Sequence, residues 1–135
     1  MLCDTGPLVA LVLRTDEYHS RSVTFVKTCV SEQFTTTWSC FTEAMYMAGR
    51  SGGWNAQQAL FRMIEQGVLG IHDIQFAEVD RLKELMTKYR DAPMDFADAS
   101  LISAAESLDE TTIFTFDSHF RIYLINDQTP VNVVP

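Results

Sequence analysis

A chain of 135 residues, 47% hydrophobic and 21% charged, has the balance of one soluble globular domain spanning residues 1–135, with enough apolar material for a core. Cys3, Cys29 and Cys40 form no CxxC pair and leave an odd thiol, which argues against a disulfide framework and for a reducing cytosol. The formal charge of −8 argues against holding nucleic acid through basic residues alone, and no apolar run reaches membrane-spanning length.

Residues 1–3 are apolar and read as a strand, and Pro7 suits the first turn of a helix over 6–14. A second helix is expected over 17–30. The β-branched and aromatic residues 34–38 predict a strand, followed by helices over 39–50 and 54–66 with Gly52-Gly53 between them. Residues 68–74 predict a short strand. Phe76, Val79, Leu82, Met86 and Tyr89 mark one face of a further helix, and another is expected over 95–108. Strands over 112–116 and 131–134 complete the series, with turn signals at residues 67–70, 91–93 and 126–130. Strands alternating with helices predict an α/β fold with a mostly parallel sheet covered on both faces. Residues 1–7 carry no basic residue ahead of the first apolar run, as a secretory signal would, so the expectation is a cytoplasmic protein with no membrane contact.

Asp4 and Asp117 each directly follow an apolar strand, where open parallel sheets bind ligands. Capping or turn duty is the competing explanation for each. Asp98 shares its helix face with Leu101, Ile102 and Ala105, and a carboxylate facing a core needs a partner, a hydrogen bond or a metal. Asp95, one turn earlier, is either the helix cap or an outer metal ligand. Glu43 borders an apolar helix face beside Tyr46 and Met47. If these acids converge, mutual repulsion disfavours the empty site and favours a hard dication such as Mg²⁺.

Four segments, Leu2-Cys3-Asp4-Thr5-Gly6-Pro7-Leu8, Phe41-Thr42-Glu43-Ala44, Pro93-Met94-Asp95-Phe96-Ala97-Asp98-Ala99-Ser100-Leu101 and Thr115-Phe116-Asp117-Ser118-His119-Phe120, resemble the successive signatures of PIN domains, in the family's order. The third, with its continuation Ser103-Ala104-Ala105-Glu106, is particularly similar to the VapC-like toxin branch. The resemblance implies a Rossmann-like three-layer α/β/α sandwich and an endoribonuclease that cuts RNA with water activated by Mg²⁺ or Mn²⁺. It assigns Asp4, Glu43, Asp98 and Asp117 as the catalytic and metal-binding quartet, with Asp95 as a frequent extra acid. Thr5, Ser118 and Thr115 are candidates for orienting ligands or waters. An antitoxin protein whose basic segment covers the acidic pocket is an implied partner. So is a second copy, docked through Met and aromatic residues of the helices from Tyr46 to Phe61, unless those residues are core. The alternative is a non-catalytic PIN-like module that binds RNA or protein.

His19, His72 and His119 lack zinc-ligand spacing, and neither GxxxxGK[ST] nor GxGxxG occurs. His119 either touches a phosphate or is a surface turn residue. Arg14, Arg50 and Arg121 either rim the pocket and meet RNA phosphates or are solvated helix ends. A haloacid-dehalogenase-like phosphatase would want a second Asp where Gly6 stands.

Overall fold

The computed structural model describes residues 1–29 and 32–135. In chain order it contains β1 (Leu2–Cys3), α1 (Thr5–Val12), α2 (His19–Thr28), β2 (Phe34–Thr37), α3 (Trp38–Glu65), β3 (Leu69–His72), α4 (Val79–Lys88), α5 (Phe96–Leu108), β4 (Thr112–Phe114), β5 (Leu124–Ile125), β6 (Thr129–Pro130) and β7 (Asn132–Val134). Five strands form one sheet in the order β3-β2-β1-β4-β7, and every pairing in it is parallel. The strands are short and, apart from the edges, largely buried, as parallel strands covered on both faces must be.

Two separate apolar cores define the layers. Leu8, Val9 and Leu13 of the α1 region pack with Phe41, Ala44 and Ala48 of α3 against Phe34 and Phe114 on one face of the sheet. Phe25 and Val26 of α2 close that core from outside. On the other face Leu82 and Leu85 of α4 pack with Leu101, Ile102 and Ala105 of α5 over Leu2 and Ile113. The expected α/β/α sandwich with a parallel sheet is what forms. Within α5, every residue from Ala97 to Ala105 is buried, so any polar group there needs an internal partner.

The two helices expected over 39–50 and 54–66 form with Gly53 between them, as two arms of α3 that meet at a kink where the Gly53 φ of 64° leaves the helical region and favours glycine. Other expectations are corrected. Phe76 and Val79 do not face the core: Phe76 is 92% exposed. Phe76–Glu78 forms a 3₁₀ turn, and α4 starts only at Val79, which resets the period so that Leu82 and Leu85 point inward. Residues 126–130 include half of an antiparallel hairpin, β5–β6, turned by Asn126 and Asp127 at positive φ. Val30, the expected last residue of α2, lies outside the described residues. The remaining ends coincide or differ by at most three residues.

Candidate functional site

Asp4 leaves the carboxyl end of β1, the central strand, and its N–H donates to the Phe114 carbonyl at 3.0 Å. That bond fixes the backbone between two strands, at the edge where open parallel sheets bind ligands. The carboxylate is buried and each oxygen is held: Oδ1 accepts from the Thr5 N–H and Oδ2 from the Thr115 hydroxyl, both at 2.7 Å. Burial pushes this carboxyl up to about 6. The Thr115 and Thr5 hydrogen bonds oppose the rise, and the charges of Asp117 and Glu43 add to it.

Asp98 stands in the first turn of α5, also buried. Burial, then the neighbouring charges of Asp95, Asp4 and Asp117, push it up to about 7, against a hydrogen bond from the Tyr123 hydroxyl to Oδ2 at 3.2 Å. Asp95 is the N-cap of α5 and accepts from the Asp98 N–H at 2.9 Å. Glu43, on the second turn of α3, is exposed, and its Oε2 lies 3.1 Å from the Thr5 hydroxyl, which also meets the Cys40 carbonyl at 3.2 Å. Asp117 follows β4 and caps the turn Ser118–Arg121, accepting from the His119 N–H and lying 2.8 Å from His119 Nδ1. The Asp117 N–H in turn donates to the Thr115 hydroxyl at 2.9 Å.

Four acids from four different elements therefore converge on one end of the sheet. Glu43, Thr5, Asp4, Thr115 and Asp117 are joined by successive hydrogen bonds, and Asp98 feels the charges of both Asp4 and Asp117. Among the described residues no Lys or Arg pairs with any of the four, and His119 is the sole basic side chain in an ion pair with them. Two buried carboxyls of one sign without a cation need either protons or a dication.

Among the described residues no group of three His, Cys, Asp or Glu side chains is drawn together as a ready-made metal cage. Mg²⁺ does not demand one, since it keeps several waters and takes one or two carboxylates plus substrate phosphate. The donor chemistry fits that ion: oxygens throughout, with Asp4 and Asp98 the buried pair. The nearby Cys3 and Cys40 are free thiols, and burial, aided by the charge of Asp4, holds both well above the usual range, Cys40 at about 12. As neutral thiols they are poor nucleophiles and poor ligands for a soft metal.

Of the residues singled out as supporting the acids, Thr5 and Thr115 both hydrogen-bond them. Ser118 is exposed, and among the described residues its hydroxyl reaches none of them. Three supporting residues carry no sequence signal. Tyr123 is fully buried beneath Asp98, but stands in an apolar stretch that reads as strand or core. Thr37 caps α3 and meets the Ser100 hydroxyl at 2.7 Å, which locks the helix bearing Glu43 to the helix bearing Asp98. Both are small hydroxyl residues whose pairing spans 63 positions.

The PIN domain family is matched over residues 1–123. No curated protein matches the chain in sequence. Among solved structures, the sarcin-ricin loop-cleaving toxin VapC20 of Mycobacterium tuberculosis is similar at a TM-score of 0.80 and 16% identity, covering 99% of this chain and 98% of its own. VapBC2 of Rickettsia felis, bound to a DNA fragment from its promoter, is similar at 0.67 and 14% identity, covering 98% and 96%. No helix among the described residues is long and apolar enough to cross a membrane.

Proposed function

Because the chain belongs to the PIN domain family, we propose that it is an endoribonuclease that hydrolyses RNA phosphodiester bonds with Mg²⁺ or Mn²⁺, and that it serves as the toxin of a type II toxin–antitoxin pair. The observation that carries this reading is the convergence of Asp4, Glu43, Asp98 and Asp117 at the carboxyl end of the sheet without a Lys or Arg partner. Asp4 and Asp98 would be the principal metal ligands, with Glu43 and Asp117 at the margins of the same pocket.

A bound dication would supply the charge that lets these acids ionise together, and would activate water and stabilise charge on the phosphate oxygens. The chain's own residues set the geometry. Thr5 N–H and the Thr115 hydroxyl fix the Asp4 carboxylate, leaving lone pairs free on both oxygens. The Tyr123 hydroxyl orients Asp98 from below. Thr37 and Ser100 fix the distance between the helices that carry Glu43 and Asp98. Asp117 holds His119 beside the acid row, where its ring would meet phosphate.

RNA as the substrate class is supported by the likeness to VapC20, a sarcin-ricin loop-cleaving toxin. An antitoxin partner is supported by the VapBC2 pair. A basic segment of such a partner would suit the acid pocket and a chain of charge −8. Trp38, Trp54 and Phe61, linked through Phe41 into an aromatic row on α3, are all exposed, which favours their use in contact with a second copy over a core role. The test is cleavage of RNA in Mg²⁺ or Mn²⁺ and its loss on chelation. Full activity in Asp4→Asn and Asp98→Asn proteins would refute the proposal.

A further inference from the structure

If the chain cuts RNA, its charge of −8 leaves open how the strand is held beside four carboxylates. Two arginine–aromatic pairs stand where they would serve. On α3, Glu43, Tyr46, Met47 and Arg50 are spaced i, i+3, i+4 and i+7, so they share one face, and all four are exposed. Tyr46 is 63% exposed, with the Arg50 guanidinium 5.7 Å from its ring centroid and bonded to its hydroxyl at 3.0 Å. The second pair lies beside the other end of the acid row. Phe116, between Thr115 and Asp117, stacks on Tyr18 at 4.2 Å and 13°, and Arg21 lies 5.4 Å from the Phe116 ring.

The topology puts the two pairs on opposite sides of Asp4. Helix α3 follows β2 and Phe116 follows β4, and β2 and β4 flank β1. Among the described residues neither arginine pairs with an Asp or Glu side chain; Arg21 donates to the Pro135 main-chain oxygen at 3.1 Å and Arg50 to the Tyr46 hydroxyl. Tyr46 and, in the second pair, Tyr18 are the exposed rings, while Phe116 is partly buried behind Tyr18. An exposed ring beside a guanidinium is what an unpaired nucleotide requires, since a base stacks on the ring and its phosphate meets the cation.

We propose that Tyr46–Arg50 and Tyr18–Phe116–Arg21 are the two banks of a single-stranded RNA path crossing the acid pocket, with stacking supplying the affinity that net charge withholds. This rests on the ribonuclease reading, and binding is therefore measured apart from cleavage.

The probe is a short fluorescein-labelled single-stranded RNA of mixed sequence, followed by anisotropy in EDTA. Tyr46→Ala/Arg50→Ala and Tyr18→Ala/Arg21→Ala should each raise Kd about tenfold, and each lost arginine should reduce the salt slope by about 1. Tyr46→Trp should bind as wild type or tighter. Should Tyr18→Ala unfold the protein, Tyr18→Phe with Arg21→Gln leaves the ring stack and isolates the cation. RNA binding without cleavage in Mg²⁺ or Mn²⁺ would remove the nuclease reading and leave the path standing. Wild-type affinity in both folded double variants, or their loss of self-association with RNA affinity intact, would overturn it.

Discussion

The Thr115 hydroxyl stands between Asp4 and Asp117, donating to Asp4 Oδ2 at 2.7 Å and accepting from the Asp117 N–H at 2.9 Å. One buried oxygen thus positions one acid and fixes the turn that bears another. Thr115→Val keeps the shape and removes both bonds, leaving a buried carboxylate oxygen short of a donor. The expected cost is about 1–3 kcal/mol in thermal or denaturant unfolding, with kcat lowered more than KM because the ligand is misdirected and the RNA surface is untouched. Thr115→Ser should restore most of both. A Val variant as stable and as fast as wild type would show that the contact is incidental.

The carboxyls of Asp4 and Asp98 make metal-free stability fall as pH rises. Both are held above the usual aspartate range, at about 6 and about 7. Between about pH 4 and pH 7 the unfolded chain has released these protons while the folded chain keeps them, so unfolding free energy falls across that window. Mg²⁺ should therefore raise Tm more at pH 8 than at pH 5. Asp98→Asn should raise the metal-free Tm at pH 8, leave it nearly unchanged at pH 4, and abolish cleavage. A Tm in EDTA that does not fall between those pH values would contradict the burial argument.

Glu78 titrates with the opposite sign. Burial alone would raise its pKa, but the Gln75 N–H, the Ser103 hydroxyl, His72 and the Ser107 hydroxyl together pull it down to about 2. Those bonds, at 2.8 to 3.1 Å, tie the end of β3 and the start of α4 to α5, and none of them involves the four acids. Its contribution is complete above the unfolded pKa near 4.5 and is lost as pH falls toward 2. Glu78→Gln should cost about 1–3 kcal/mol at pH 7, and the gap from wild type should close on acidification. Cleavage below the melting range should persist. A gap that is constant with pH would assign the loss to shape and not to charge.

These contrasts also show what a sequence exposes. Asp98 was legible because a charged residue shared a helix face with Leu101, Ile102 and Ala105, and the structure buries that whole face. Asp4 and Asp117 were legible because each closes an apolar strand. The alternation of strands and helices was enough for the layers and the parallel sheet. What escaped is long in range or short in period. Tyr123 under Asp98, Thr37 against Ser100 and the four donors on Glu78 are meetings of distant residues with ordinary local roles. The 3₁₀ turn at Phe76–Glu78 broke a helical period that looked continuous on paper. The exposure of Tyr46 and Trp54 depends on how α3 folds back at Gly53, and aromatic composition alone cannot report that.

Asp95 separates two kinds of duty that a carboxylate can perform at one position. It accepts from the Asp98 N–H at 2.9 Å as the N-cap of α5 and is exposed. It is also the largest source of charge repulsion on Asp98 after burial itself. Asparagine caps as well as aspartate, whereas alanine does not. Asp95→Asn should therefore leave Tm near wild type, and Asp95→Ala should lose about 1 kcal/mol. With the negative charge gone, the Asp98 carboxyl should titrate lower in the Asn variant, which a shift of the Asp98 side-chain carboxyl ¹³C resonance with pH would report. If Asp95 is a cap and not a ligand, the Mg²⁺ concentration needed for half-maximal cleavage should differ little between Asp95→Asn and wild type. A loss of metal affinity as large as that of Asp4→Asn in the same assay would place Asp95 among the ligands, and its capping bond would then be the secondary role.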